Sequence, residues 1–413
     1  MLWNNAEPAR LFNEFSFHKV SLGFIDSFFV KDFLYKVYKR EILTEGIEVN
    51  KILCLQSRDA ICPREVKVEF NSSTGIYDIL DNFLLFVVKY NNIEFDITYL
   101  CTISDTHMND IHMEDLWSKS EALHIKSARE TNINPKDVYD FIRKKSFETS
   151  FLKNSVLLYK SEERKEFDIR LLRKLNLNNK NTNEVFLPPQ KQEHIERFAF
   201  AVKNYQKDKL YLRYLFNGSP GTGKTNIINN IIKQIEGLAT VFILNGQMYN
   251  LAPIFYFCSS FEPCVLVFDD LDLIIGSREE KHNNQNLSCL LQYLDGFQQN
   301  NLFILSTTNI KELVDKAASR PGRFDLILDI AEIESENYLQ LVERETNDEQ
   351  IISFFTDNIL AALELKKATG AFIVNLVKQL TSIKKMKGEL ANKDFEMCMD
   401  LTYRGFYSNN SEH

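Results

Sequence analysis

The sequence of 413 residues is long enough for two or three domains, and its 44% hydrophobic and 26% charged residues are typical of a globular protein. Its net charge of −8 argues against a protein whose main task is to neutralise a nucleic acid backbone. The seven cysteines are odd in number and show no C-x-x-C spacing, which predicts reduced thiols and a cytoplasmic location.

Neither a membrane span nor a secretory signal is predicted. The two most apolar stretches, residues 23–38 and 83–88, are interrupted by charged residues or are too short to cross a bilayer. The first 19 residues carry Glu7, Arg10 and Glu14 and lack a continuous apolar core.

Residues 1–182 are predicted to form a separate α+β domain. The first 50 or so residues indicate helices, because several phenylalanines lie on a broad apolar face among charges. Apolar and polar residues begin to alternate at Val66, which indicates strands. A hairpin is predicted from two apolar runs, 83–90 and 93–99, that are separated by Asn91 and Asn92. A helix is predicted near 134–145 and a strand at 155–160. The asparagine-rich segment 176–183 indicates a linker.

Three histidines in the polar segment 102–125 are candidate metal ligands. His107, His112 and His124 have poor helical spacing, and a metal cluster needs several ligands that converge. A metal site is therefore not favoured there.

A glycine-rich segment follows the apolar residues 211–216. Gly218, Gly223, Lys224 and Thr225 satisfy the spacing G-x-x-x-x-G-K-[ST]. The loop predicted to surround phosphate consists of Gly218, Ser219, Pro220, Gly221, Thr222, Gly223, Lys224 and Thr225. Backbone N–H groups and the start of the following helix would bind phosphate, Lys224 would reach the β- and γ-phosphates, and the Thr225 hydroxyl would bind Mg²⁺. The alternative, a chance glycine turn, is disfavoured by the strand before it and the isoleucine-rich helix after it.

Residues 265–268 form an apolar run that is followed directly by two acids. Carboxylates at the carboxyl edge of a parallel sheet lie beside a phosphate loop, so Asp269 is predicted to hold Mg²⁺ and Asp270 to polarise the attacking water. The alternative is a strand that ends in solvated acids.

The remaining elements alternate between strand and helix. Strands are predicted at 240–244, 265–268, 303–306 and 326–329, with helices at 251–259 and 287–294 between them. Helices alone are predicted at 338–344, 351–363, 373–382 and 395–402. This pattern indicates an α/β subdomain at 183–330, with a parallel sheet between helices, and a small helical subdomain at 331–413.

Segments 290–297 and 306–309, followed by 313–325, resemble an AAA ATPase. The resemblance covers residues 184–380 and implies a P-loop AAA+ module with a helical lid, an ATP and Mg²⁺ requirement, and a ring of six or seven subunits. It implies that Asn309 helps to orient the hydrolytic water and that Arg320 and Arg323 project into the neighbouring subunit's nucleotide site. It also implies that Gly370 and Ala371 belong to the lid. The alternative is that the two arginines only pair with surface acids and do not act in a neighbouring subunit.

Two features depart from most members of that family. Asp270 stands where the family has glutamate, whose side chain is one methylene longer. Either slow hydrolysis or a different way of holding the attacking water is therefore expected. Residues 247–250 also lack the aromatic-hydrophobic-glycine loop that grips unfolded clients in the pore. Tyr249 is an alternative candidate for a pore residue. Both features resemble the mitochondrial translocase of the folded Rieske protein, whose membrane anchor has no counterpart in this sequence.

The leading hypothesis is a ring-forming ATPase that remodels or translocates protein clients recognised by residues 1–182. The alternative is an ATP-controlled assembly switch or a DNA-transaction factor with slow turnover, and the negative net charge argues against the DNA version. The given sequence contains no H-E-x-x-H motif, so peptide hydrolysis by these residues is not predicted.

Overall fold

The computed structural model describes residues 15–22, 24–54, 66–72, 74–79, 83–103, 119–128, 132–160, 167–176, 186–245, 250–272, 281–295, 301–310, 320, 322–331 and 333–407. Two units are distinguished, one formed by Met1–Ser155 and Asp168–Lys174 and the other by Val156–Phe167 and Leu175–His413. Within the described ranges, no helix combines the length and the apolar character that a membrane crossing needs.

The first unit contains an antiparallel sheet, a small hairpin and two helices. Its elements are β1 (Phe15–Leu22), α1 (Phe24–Tyr38), β2 (Ile47–Cys54), β3 (Val68–Asn71), β4 (Ile76–Ile79), β5 (Phe83–Tyr90), β6 (Ile93–Ile103), β7 (Lys119–Ala128) and α2 (Pro135–Glu148). The sheet order is β1-β7-β6-β5-β2, and β3 pairs with β4. The predicted hairpin is confirmed in β5 and β6, where Asn91 and Asn92 both have positive φ, as a tight two-residue turn requires.

The helical prediction for residues 1–50 is wrong at both ends of the described part. Only α1 is helical there, and strands β1 and β2 lie on either side of it. The reason is visible in β2, where Ile47 and Val49 are buried and Glu48 and Asn50 are exposed, a two-residue period in a very short stretch. Residues 1–14 lie outside the described residues.

Helix α1 is buried along most of its length, which forces its charged side chains into pairs. Lys36 binds Asp32 at 2.9 Å, and Arg143 of α2 binds Asp26 at 3.0 Å. An unpaired charge at such buried positions would be strongly destabilising. The apolar residues of α1 and α2 pack on the inward side chains of the sheet, among them Phe86, Phe95 and Ile125.

The second unit contains a parallel sheet between helices. Its elements begin with β8 (Val156–Lys160) and, after β9 (Leu172–Lys174) of the first unit, continue with α3 (Pro189–Lys203), α4 (Tyr205–Asp208), β10 (Arg213–Asn217), α5 (Lys224–Gln234), β11 (Thr240–Asn245), α6 (Ala252–Ser259), β12 (Cys264–Phe268), α7 (Lys281–Leu294), β13 (Phe303–Thr308) and β14 (Leu326–Asp329). Neighbouring strands pair in parallel in the order β14-β10-β13-β12-β11-β8. Strands β12 and β13 are buried throughout, as central strands covered on both faces are. The strands and helices predicted for 240–329 are confirmed.

The strand predicted at 155–160 is present, but it does not lie in the expected 1–182 domain. It is β8, and it extends the sheet of the second unit by pairing with β11 from Val156 to Lys160. The chain thus enters the second unit at Val156, before the predicted boundary. An apolar run predicts a strand but not its sheet, because strand pairing joins residues that are distant in the sequence.

The helices predicted near the end of the sequence are confirmed, with one segment divided in two. They are α8 (Tyr338–Glu345), α9 (Glu349–Ser353), α10 (Asp357–Leu365), α11 (Gly370–Lys387) and α12 (Asn392–Tyr407). Their buried apolar residues, including Val342, Phe372 and Leu376, form a core distinct from that of the sheet. Asp348 begins α9 by accepting bonds from the N–H groups of Gln350 and Ile351.

Candidate active site

The predicted phosphate loop connects the buried strand β10 to the start of α5. Gly221 and Gly223 have φ values of 84° and 93°, which favour glycine. At Gly218 the reason for glycine is space, because a Cβ atom would lie 2.3 Å from the Ile330 carbonyl oxygen. Thr222 closes the turn by donating its hydroxyl proton to the Ser219 carbonyl at 2.9 Å, and Pro220 lies between these two residues.

The start of α5 is open to an anion. Its N-cap is Gly223, so no capping side chain occupies the first N–H groups of the helix. These N–H groups and the positive end of the helix dipole bind phosphate in loops of this kind. The shape of the loop therefore fits a nucleotide phosphate.

Lys224 is a buried cation at the centre of the site. Its ammonium donates to the carbonyl oxygens of Gly218 at 2.7 Å and Ser219 at 3.0 Å, and to Asn309 Oδ1 at 2.7 Å. Burial lowers the pKa of this ammonium, and three nearby aspartates oppose that shift. Charged phosphate oxygens are better partners for a buried ammonium than these neutral acceptors, and could replace them.

Thr225 and Asp269 form the side of the site that is suited to a metal ion. The Thr225 hydroxyl donates to Asp269 Oδ1 at 3.0 Å, at the carboxyl end of β12. In the described part of the chain, no group of three or more His, Cys, Asp or Glu side chains could hold a metal ion. The pair nevertheless fits Mg²⁺, which prefers oxygen and commonly binds one or two protein ligands together with substrate phosphates.

Asp270 and Asn309, both predicted to act on the hydrolytic water, contact each other. Asn309 Nδ2 donates to Asp270 Oδ1 at 3.3 Å, so its amide links the carboxylate to Lys224. Burial raises the pKa of the Asp270 carboxyl, and the charges of Asp269 and Asp272 add to this effect. The backbone of Asp270 has a φ of 58°, which is uncommon for a residue other than glycine.

Two further polar residues in this site were missed by the sequence analysis. The Thr307 hydroxyl lies between the two acids, 3.0 Å from Asp269 Oδ1 and 2.7 Å from the Asp270 backbone nitrogen. Asp272 Oδ1 accepts from the Asn309 backbone N–H at 3.3 Å. The sequence did contain a signal for them, because parallel strands that are followed by Asp269 and Asn309 place the polar residues next to these two at the same sheet edge.

The first residues of α11 contact the phosphate loop. The Ala371 N–H donates to the Gly221 carbonyl at 3.3 Å. A Cβ atom on Gly221 would lie 3.0 Å from Thr369 Oγ1 and 3.1 Å from Ala371 Cβ, and one on Gly370 would lie 4.0 Å from the Gly221 carbonyl oxygen. The residues predicted to belong to the lid thus lie directly against the nucleotide loop.

Arg320 and Arg323 both bind Asp295, which follows α7. Arg323 forms a bidentate pair, with Nε 2.7 Å from Oδ1 and a second nitrogen 2.9 Å from Oδ2, and only 7% of its side chain is exposed. Arg320 binds the same carboxylate at 3.0 Å and is 66% exposed. Hydrogen bonding from Arg323 lowers the pKa of the Asp295 carboxyl. The predicted role of these arginines in a neighbouring subunit stays a prediction, and Tyr249 lies outside the described residues.

Residues 214–332 match the family described as "ATPase family associated with various cellular activities (AAA)". Similar curated proteins include the ATP-dependent zinc metalloprotease FTSH 9, chloroplastic/mitochondrial, of Oryza sativa, at 28% identity over 52% of this chain and 30% of the relative. The YME1 subunit of the mitochondrial inner membrane i-AAA protease supercomplex of Saccharomyces cerevisiae is 30% identical over 41% of this chain and 24% of the relative. The ATP-dependent zinc metalloprotease FtsH of Rhodothermus marinus is 27% identical over 53% and 35%.

These similarities cover only part of each relative. The chain matches only about a quarter to a third of the length of the three proteins. The matched residues include Lys224, Thr225, Asp269, Asp270 and Asn309, which the fold brings together. The chain therefore contains an AAA ATPase domain, whose reaction is ATP hydrolysis with Mg²⁺ as cofactor.

Proposed function

We propose that this chain is a ring-forming ATPase that remodels or translocates protein clients or protein complexes. The observation that carries the proposal is Arg320, a cation that is 66% exposed and pairs with Asp295. Such a cation is available to the γ-phosphate bound by a neighbouring subunit, where it would stabilise charge during phosphoryl transfer. Hydrolysis would then depend on assembly of a ring of six or seven subunits.

The two arginines differ in how easily they could reach a neighbour. Arg323 is held by a bidentate ion pair and is nearly buried, whereas Arg320 makes one bond to Asp295 and is mostly exposed. We therefore assign the direct contact with the neighbouring phosphate to Arg320. Arg323 would stabilise the segment that carries both arginines through its ion pair with Asp295. It could contact the neighbouring phosphate itself only by breaking that ion pair.

Mixing two inactive variants tests the arrangement. A Lys224→Ala subunit cannot bind ATP but keeps Arg320, and an Arg320→Ala subunit has the opposite defect. Each alone should have little ATPase activity, whereas the mixture should regain part of it, because some intact nucleotide sites would receive Arg320 from a neighbour. Sedimentation with a non-hydrolysable ATP analogue should show the ring.

Arg404 offers a matched control, because it is an exposed arginine that forms an ion pair with Asp400 at 2.7 Å. Arg404→Ala should leave the ATPase rate unchanged. Full activity of Arg320→Ala alone, at a rate per subunit that does not depend on protein concentration, would show that no arginine acts between subunits.

The client role is supported by the rice and Rhodothermus marinus relatives, which are described as ATP-dependent zinc metalloproteases. This sequence has no H-E-x-x-H motif, so the part of that activity that we propose here is the handling of proteins. Residues 1–182, which include all of the first unit, would recognise the client. An Asp270→Asn variant should bind ATP and retain a protein that Lys224→Ala does not retain. An ATPase rate that rises with DNA and falls with salt would favour the alternative, an assembly switch or DNA-transaction factor.

The sequence also supports a proposal about the kind of client. The resemblance to the Rieske-protein translocase rests on Asp270 and on the short segment after Gly246, and it predicts a folded client. Residues 246–249 lie outside the described residues.

We also propose a cytoplasmic location, consistent with the reduced thiols of Cys258, Cys264 and Cys398. Cell fractionation would distinguish the cytoplasm from the chloroplast and the mitochondrion, the organelles given for the rice relative.

A further inference from the structure

A single buried hydroxyl connects the two acids of the ATPase site. Thr307 is completely buried on β13, and its Oγ1 lies within hydrogen-bond distance of both Asp269 Oδ1 and the Asp270 backbone nitrogen. A backbone N–H can only donate, so Oγ1 accepts from Asp270. The one hydroxyl proton is therefore left for the Asp269 carboxylate, and both hydrogen bonds have a defined direction.

The bond to Asp270 acts on an unusual backbone. A φ of 58° is uncommon for aspartate and persists only where surrounding contacts hold it. At 2.7 Å, the bond from the Asp270 N–H to Thr307 is short and well placed to do this. Because the direction of the side chain follows from the backbone, the same bond sets where the Asp270 carboxylate meets Asn309.

The bond to Asp269 acts on the metal side of the site. Asp269 Oδ1 receives the hydroxyls of both Thr225 and Thr307, each at 3.0 Å. Two donors fix the orientation of a carboxylate more firmly than one. Thr307 therefore restrains the residue that would hold Mg²⁺ and the residue that would polarise water.

The neighbouring hydroxyls of β13 do not share this geometry. Phe268 lies beside Ser306 in the pairing of β12 with β13, so Thr307 is level with the first residue after β12. Ser306 is also completely buried, but its hydroxyl has no hydrogen-bond partner among the described residues. Thr308 Oγ1 accepts from the backbone N–H of Ile310 at 3.1 Å, which begins the next loop.

We propose that Thr307 is a positioning residue for ATP hydrolysis, whose hydroxyl sets the relative orientation of Asp269 and Asp270. The proposal rests on the ATPase activity of this domain and not on the identity of a client. It predicts that Thr307 contributes to the rate of hydrolysis more than to the binding of ATP, because the hydroxyl contacts the acids and not the phosphate loop.

Two substitutions separate the hydroxyl from the shape of the side chain. Thr307→Val keeps the volume and removes both hydrogen bonds, whereas Thr307→Ser keeps the hydroxyl. Ser306→Ala is the matched control, because it removes a buried hydroxyl from the same strand without breaking a bond to either acid. Basal ATPase rates of the full chain would be measured without a client at saturating Mg²⁺, and affinity with a fluorescent non-hydrolysable ATP analogue.

Thr307→Val should lower kcat about tenfold or more, which corresponds to loss of a hydrogen bond to a charged group. Its affinity for the analogue should change less than about threefold, because the lost hydrogen bonds act on the hydrolysis step and not on nucleotide binding. Thr307→Ser should recover most of the rate, and Ser306→Ala should resemble the unaltered protein. If Thr307→Val does not fold, Thr307→Ala gives the same comparison.

The proposal is overturned if Thr307→Val turns over at the unaltered rate, if Thr307→Ser loses as much activity as Thr307→Val, or if only analogue affinity falls. None of these outcomes depends on ring size or client. A failure to find a protein client would overturn the proposed function while leaving the Thr307 comparison intact.

Discussion

Replacing Gly218 by alanine should damage the phosphate loop through a steric clash that the structure measures directly. The new Cβ atom would lie 2.3 Å from the carbonyl oxygen of Ile330, which is at least 0.7 Å closer than real Cβ contacts come. The obstacle is backbone and cannot rotate away. It is also held in place, because the Ile330 N–H donates to the Asn217 carbonyl at 2.6 Å.

The start of the loop must therefore move away from the end of β14. Forced overpacking of this kind costs about 1–3 kcal/mol of folding free energy. The movement also displaces the Gly218 carbonyl, which lies 2.7 Å from Lys224 Nζ. We expect affinity for an ATP analogue to fall about tenfold or more, which corresponds to about 1.4 kcal/mol or more of binding free energy.

Gly237→Ala provides a matched control in the loop between α5 and β11. Gly237 has a φ of 76°, and a Cβ atom there would contact nothing within 4 Å. The substitution should cost about 1–2 kcal/mol through backbone strain alone. Chemical denaturation followed by circular dichroism should show both variants destabilised, whereas analogue titration should show weaker binding for Gly218→Ala only. Equal affinities in two equally destabilised variants would refute the argument that the loop needs the close approach at Gly218.

Two further predictions concern charge and metal. The pKa of Asp348 is lowered, first by its hydrogen bond from Lys384, so its stabilising contribution is present above the ordinary carboxyl pKa of 3.8 and is lost as pH falls through the lower folded value. Asp348→Asn keeps an N-cap side chain, so its thermal stability should fall less steeply with acid, and an unchanged pH profile would contradict this. Thr225→Val removes the hydroxyl beside Asp269 and should raise the Mg²⁺ concentration for half-maximal ATPase activity about tenfold or more. An unaltered Mg²⁺ requirement would exclude Thr225 as a ligand.

Local sequence patterns predicted much of the second unit. The glycines and Lys224 of the phosphate loop follow from spacing alone, and the strands and helices from Thr240 to Asp329 have strong periodic patterns. The first unit was harder to predict from the sequence. The alternating stretch of β2 is short and follows a helix with a broad apolar face, so it was assigned to the helical pattern. β8 was predicted as a strand but assigned to the expected N-terminal domain, because its partner β11 lies about eighty residues further along the chain.

The sequence by itself determined that a phosphate loop, two acids and a polar strand end occur in the order of an ATPase. Spacing is local, and the chemistry of these residue types is known without a fold. Only the tertiary structure decided that Thr307 connects Asp269 to Asp270 and that one carboxylate, Asp295, holds both Arg320 and Arg323. These contacts join separate strands and loops, and their geometry depends on register and backbone conformation, which residue spacing does not specify.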